Sequence, residues 1–168
     1  MSQITKTFTT STGRTNKITL LKGDIAQVPA QAMITAINSG GMWFGGIDGV
    51  IQKHAGDQFH RQASAAMPLR HLDTVRAFKR HSHSAQFDDV LFVIDDLRTP
   101  LRDVVYKAFE AVGNAGYKTV SLPAIRTGVM LGTVEPDAQS AVAELLAGII
   151  EYFGDYPNST SQIERTEL

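Results

Sequence analysis

The run Val90-Leu91-Phe92-Val93-Ile94 limits the fold more than any other stretch of this chain. A strand with one wet face alternates apolar and polar residues. This one is apolar at every position, so it needs cover on both faces, as in a sheet held between two layers of helix. Further strands are expected at residues 18–21, 33–37 and 119–122, with a polar turn over residues 9–16 that holds Gly13. Helices fall between them. Ile47, Val50, Ile51 and His54 lie at i, i+3, i+4 and i+7. Leu101, Val104, Val105, Ala108, Phe109 and Val112 repeat that pattern, with Thr99 as the expected N-cap, Pro100 at the first helical position and Gly113 near the end. Ala138, Val142, Leu145, Leu146, Ile149 and Phe153 mark a last helix, entered through Glu135 and a Pro136 at its first position. Strand and helix in alternation predict a three-layer α/β/α sandwich with a mixed, largely parallel central sheet. A chain of 168 residues suits one such domain, expected over residues 1–156, with residues 157–168 as a polar, disordered C-terminal tail.

Charge and composition narrow the function. Sixteen Lys and Arg against seventeen Asp and Glu leave no basic field for a nucleic-acid backbone, so affinity for a polyanion has to come from a local site. The absence of cysteine excludes disulfides, thiolate catalysis and cysteine zinc sites. The opening Met1-Ser2-Gln3-Ile4-Thr5-Lys6 lacks the apolar stretch of a signal peptide, and no apolar run approaches the roughly 20 residues that span a bilayer. The expectation is a cytoplasmic monomer with no membrane partner, metal or cofactor. Asn158-Ser159-Thr160 matches a glycosylation pattern and is read as chance.

In a parallel sheet, ligands sit beyond the C-terminal ends of the strands. Three segments there carry candidate chemistry. Gly23-Asp24-Ile25 follows a strand, and a carboxylate at Asp24 can accept hydrogen bonds from an exocyclic amine or simply cap a turn. Asn38-Ser39-Gly40-Gly41-Met42-Trp43-Phe44-Gly45-Gly46-Ile47-Asp48-Gly49 joins a strand to a helix; its glycines and the helix N-terminus form a phosphate cradle that needs no Lys or Arg. It is neither a Walker loop nor a dinucleotide fingerprint. Pro123-Ala124-Ile125-Arg126-Thr127-Gly128-Val129-Met130-Leu131-Gly132 is a second candidate anion nest, in which Arg126 either pairs with phosphate or sits solvated.

These segments resemble the macrodomain family, and the match runs from about Ile18 to Phe153. Gly23-Asp24-Ile25 resembles the family's Gly-Asp-Ile. Ile34-Thr35-Ala36-Ile37-Asn38 resembles its Val-Asn-Ala-Ala-Asn strand end. Gly45-Gly46-Ile47-Asp48-Gly49-Val50-Ile51 resembles the end of its glycine loop, and Pro123-Ala124-Ile125-Arg126-Thr127-Gly128-Val129 resembles Pro-Ala-Ile-Ser-Thr-Gly-Val. The resemblance implies ADP-ribose, free or on a protein, as ligand. It assigns Asp24 and Ile25 to the adenine end. The diphosphate falls to Gly45, Gly46 and Ile47, together with Arg126, Thr127, Gly128, Val129 and Met130. Asn38 orients the distal ribose and Asp48 positions water. Thr35 replaces the family's first asparagine, Trp43 and Phe44 replace two loop glycines and are expected to flank the ribose, Arg126 replaces a serine, and Met130-Leu131-Gly132 replaces a Phe-Gly turn. Two activities remain open, an ADP-ribosyl hydrolase and a non-catalytic ADP-ribose reader.

The other constellations have plainer readings. His81 and His83 are spaced to bind a metal on a strand, but suit a solvated loop better. His54 reads as a packed histidine, and His60 and His71 have no evident partners. Asp95-Asp96 offers paired carboxylates for a hydrolytic dyad, though the end of the apolar strand explains the pair more simply. Arg76, Lys79 and Arg80 read as a solvated strand face.

Overall fold

A computed structural model describes residues 3–9, 15–21, 25–40, 46–126, 132–156 and 165–167. The chain opens with an antiparallel pair, β1 (Gln3–Thr9) and β2 (Thr15–Leu21). It continues through β3 (Ala30–Ile37), α1 (Gly46–Ala55), α2 (Gln58–Ala65), β4 (Thr74–Ala77) and β5 (Phe87–Ile94). It ends with α3 (Leu101–Ala115), β6 (Thr119–Ser121), α4 (Ala138–Asp155) and β7 (Arg165–Glu167). The described strands form one seven-stranded sheet in the order β1-β2-β7-β6-β3-β5-β4. β2–β7, β7–β6, β6–β3 and β3–β5 are parallel, while β1–β2 and β5–β4 are antiparallel, so the sheet is mixed and largely parallel.

The two central strands divide their side chains between two cores, as the period of two in a strand requires. Ala32, Ile34 and Ala36 of β3, with Leu91 and Val93 of β5, pack under α3 and α4. Met33 and Ile37, with Val90, Phe92 and Ile94, pack under α1 and α2. The apolar run that opened the sequence reading is covered on both faces for this reason. On the first face Val104, Val105, Ala108 and Phe109 of α3 meet Leu145, Ile149, Tyr152 and Phe153 of α4. Gly148 lets the two backbones touch: a Cβ there would lie 2.6 Å from the Arg102 carbonyl oxygen. On the second face Ile51, Ala55, Phe59 and Ala63 are buried. The buried Gln58 amide donates to the Ala55 and His81 carbonyls, and its oxygen accepts from the backbone N–H groups of Arg80 and His81.

Several boundaries differ from the sequence expectation. Helix α3 begins at Leu101, with Pro100 in the N-cap position. Glu135 supplies the missing acceptor, 2.7 Å from the Leu101 N–H, so Thr99 is not needed as a cap. The left-handed residue after that helix is Gly116 (φ 83°), and Gly113 lies buried inside it. Helix α4 starts after Pro136, capped by Asp137, whose carboxylate accepts from the Ser140 N–H at 2.8 Å. Helix α2 and strand β4 had no clear periodic signal. The expected disordered tail is corrected at Arg165–Glu167, which form β7 between β2 and β6. Backbone pairing on both sides brings this polar triplet into the sheet.

Candidate functional site

A cleft of about 540 Å³ opens at the C-terminal ends of β3 and β5. Asn38, Ser39 and Gly40 form one wall; Asp95, Asp96, Leu97 and Arg98 form the other. The walls are stitched together. The Asp95 N–H donates to the Ile37 carbonyl at 2.8 Å, and the Ser39 N–H donates to Asp96 Oδ1 at 2.8 Å. The Asp96 N–H donates to His71 Nδ1 at 3.0 Å, which leaves the ring proton on Nε2, where Thr99 Oγ1 lies 2.8 Å away. His71 therefore has two partners, both from the turn after β5, and these were invisible in the sequence.

Arg126 corrects the sequence expectation. It neither reaches into the cleft for phosphate nor sits in solvent. Its side chain is 1% exposed and is held by Asp95 (2.7 and 2.9 Å) and by Glu135 (3.0 and 3.1 Å). Burial alone disfavours the guanidinium, but the hydrogen bonds and charges of Asp95 and Glu135 outweigh it and raise its pKa. Asp95 is thus more than a strand terminator, and its engagement with Arg126 argues against a free Asp95–Asp96 dyad. Among the described residues the non-glycine positions with positive φ are Leu72 (75°), Leu97 (60°) and Arg126 (64°). All three attach to the end of β5. Leu72 N–H donates to the Ile94 carbonyl, Leu97 N–H donates to Asp95 Oδ1, and Arg126 pairs with Asp95. Left-handed backbone in bulky residues persists only where its surroundings enforce it, and it gathers at ligand sites.

No protein-family model matches the chain. A protein of Pantoea vagans named O-acetyl-ADP-ribose deacetylase 2 is 30% identical over 126 residues, covering 68% of this chain and 72% of that protein. A macro domain-containing protein of Streptomyces nogalater is 27% identical over 135 residues, covering 74% and 75%. The chain belongs to the macrodomain family. The solved structure of an Oceanobacillus iheyensis macrodomain with ADP shares the fold, at a TM-score of 0.70 and 17% identity over 99% of this chain and 88% of that one.

In this macrodomain the cleft brings Asn38 of the candidate set to the strand ends, beside Ser39 and Gly40. Gly46, Ile47 and Asp48 are the first three residues of α1; the side chains of Ile47 and Asp48 lie outside the described part. Ile25 begins a single 3₁₀ turn and packs partly against the core under α1 and α2. Asp24, Trp43, Phe44, Gly45, Thr127, Gly128, Val129 and Met130 lie outside the described residues. Thr35, at the family's first asparagine, is 1% exposed.

Three further histidines have structural contacts, while His81 is exposed. His54 Nδ1 lies 2.8 Å from Ser84 Oγ. His60 packs edge-on against Phe92, and His83 packs against Phe59 and Phe87. Among the described residues no group of three or more His, Asp or Glu is placed to hold a metal ion. No described helix is long and apolar enough to cross a membrane. Arg76 is exposed on β4, with its guanidinium between the Phe78 and Tyr117 rings. Sequence reasoning missed Glu135 and Arg98. Glu135 had no local signal, because its partner Leu101 is 34 residues away. Arg98 had one, since it follows an apolar strand end by only a few residues.

Proposed function

We propose that this macrodomain binds ADP-ribose across the strand ends and hydrolyses the linkage at its distal ribose, on modified proteins or on small derivatives. Asn38 carries the reading: it lines the cleft at the end of β3, and α1, with Asp48 in its first turn, follows in the chain. The Pantoea relative supports the chemistry, because its name is that of an ADP-ribose ester hydrolase.

In this proposal Asp24 accepts from the adenine amine and Ile25 packs beside the ring. The N–H groups of Gly45, Gly46 and Ile47, at the positive end of α1, hold the diphosphate from one side. Those of Thr127, Gly128 and Val129 hold it from the other, with Met130 beyond them. Trp43 and Phe44 wall the distal ribose, and Asn38 orients its hydroxyls. Asp48 takes a proton from water as the water oxygen attacks the acyl carbon. Asp48 returns that proton to the ribose oxygen, which leaves as a hydroxyl, and the acid is released. Fixing both ends of the ligand supplies the geometry. The step draws on no cofactor, and the protein acts as a cytoplasmic monomer.

Calorimetric titration of ADP-ribose is the first test. Saturable one-to-one binding, weakened in Asp24→Ala, is expected; no binding at millimolar ligand sinks the proposal. Turnover of O-acetyl-ADP-ribose should fall about 100-fold or more in Asp48→Ala and in Asn38→Ala, with binding largely kept. The aromatic replacements at Trp43 and Phe44 favour a second reading, a non-catalytic reader. Binding without any turnover selects it.

A further inference from the structure

Arg126 stands at the entry to the second loop, yet points away from solvent. Its fork spans two carboxylates from distant parts of the chain. Asp95 opens the turn out of β5 and lines the cleft; Glu135 leads into α4 and caps α3 through the Leu101 N–H. One guanidinium therefore ties four segments together immediately behind the cleft. Their side chains are almost fully buried, at 1% for Arg126, 0% for Asp95 and 6% for Glu135. Two carboxylates against one cation leave this cluster with one net negative charge, which the N-terminus of α3 helps to offset. The positive φ of Arg126 adds a second observation. A non-glycine residue is kept in that conformation only by strong tethers, and here the tethers are the four nitrogen–oxygen contacts.

This cluster bears on a diphosphate. Asp95 lies in the wall of the same cleft, where an unbalanced carboxylate would repel an anion. We propose that Arg126 is a positioning residue for diphosphate recognition, fixing the Asp95 wall of the cleft from behind and offsetting its charge. The inference rests on the ADP-ribose reading above. Lysine replaces this arginine only in part, because an ammonium keeps the charge but lacks the planar fork that serves two carboxylates at once.

The test compares Arg126→Met, Arg126→Lys and Glu135→Gln with the wild type, using two ligands and one ligand-free readout. ADP-ribose affinity is measured by calorimetry, adenosine affinity by ligand-observed NMR, and amide hydrogen exchange from Ala124 to Glu135 in the free protein. Arg126→Met is expected to weaken ADP-ribose at least tenfold, leave adenosine within twofold, and speed exchange across that segment. Arg126→Lys should recover part of the loss. Glu135→Gln keeps an acceptor for the Leu101 N–H and serves if Arg126→Met does not fold; a threefold or greater loss for ADP-ribose alone is expected there. Folded variants that bind ADP-ribose within twofold of wild type overturn the proposal, as does an equal loss for both ligands. If wild type binds no ADP-ribose, the functional reading fails, and the exchange data then decide the role of Arg126: unchanged exchange overturns it.

Discussion

The two helical layers of this macrodomain are built to different standards. Helices α3 and α4 run 15 and 18 residues and bury an apolar face with the tight contact at Gly148. Helices α1 and α2 run 10 and 8 residues and tolerate polar groups within their core. Gln58 and His60 are buried there. Thr35 and Ser121 point to the same side, because their neighbours Ile34, Ala36, Val120 and Leu122 belong to the other core. Their hydroxyls are buried without a hydrogen-bond partner among the described residues. The long-helix face supplies packing, and the short-helix face follows the loop after Asn38. Among the described residues these unsatisfied hydroxyls thus fall on the layer that leads to the cleft.

Substitutions can break or sharpen this contrast. Phe109→Ala, in the long-helix core, should cost about 3–5 kcal/mol in urea unfolding; a cost under about 1 kcal/mol would deny that face its leading role. Gly148→Ala comes next. Its methyl meets backbone that cannot swing aside, so the helices must part, at about 1–3 kcal/mol. Thr35→Val probes the other face and carries the opposite sign. It removes an unsatisfied buried hydroxyl at constant shape and should stabilise the protein by up to about 1 kcal/mol. A clear loss of stability would mean that the hydroxyl has a partner. The smallest effect belongs to Asp137→Ala at the start of α4. The hydrogen bonds from Ser140 hold the Asp137 carboxyl below its ordinary value. Its contribution is therefore present above the ordinary carboxylate range and fades as pH falls through the lowered value. The variant should melt slightly below wild type at pH 7 and together with it once pH falls below that lowered value.

Legibility in the sequence follows the same division. Helices α3 and α4 repeat their apolar residues over three or more turns, so periodicity found them. Helix α2, Gln58-Phe59-His60-Arg61-Gln62-Ala63-Ser64-Ala65, buries Gln58 and His60 and shows no apolar stripe. Strand β7 is legible only in space, since pairing with β2 and β6 brings Arg165-Thr166-Glu167 into the sheet. Asn38 was found because a strand end followed by glycines marks a ligand site wherever a parallel sheet forms. Arg126 was misread because a loop arginine near glycines looks like a phosphate ligand or a solvated side chain. Its partners lie 31 and 9 residues away, and only the fold brings them together.

The place of β7 also sets an order of assembly. Among the described strands, the β1–β2 hairpin joins the rest of the sheet through β7 alone. The β1–β2 pair therefore finds its neighbour only after the other described strands have been made. Until then β2 and β6 each present an open edge, the kind of surface that pairs with foreign strands. Closing that gap spans nearly the whole chain, which makes it a slow, late contact. A newborn chain of this protein is most exposed to misassembly in the interval before Arg165–Glu167 appear.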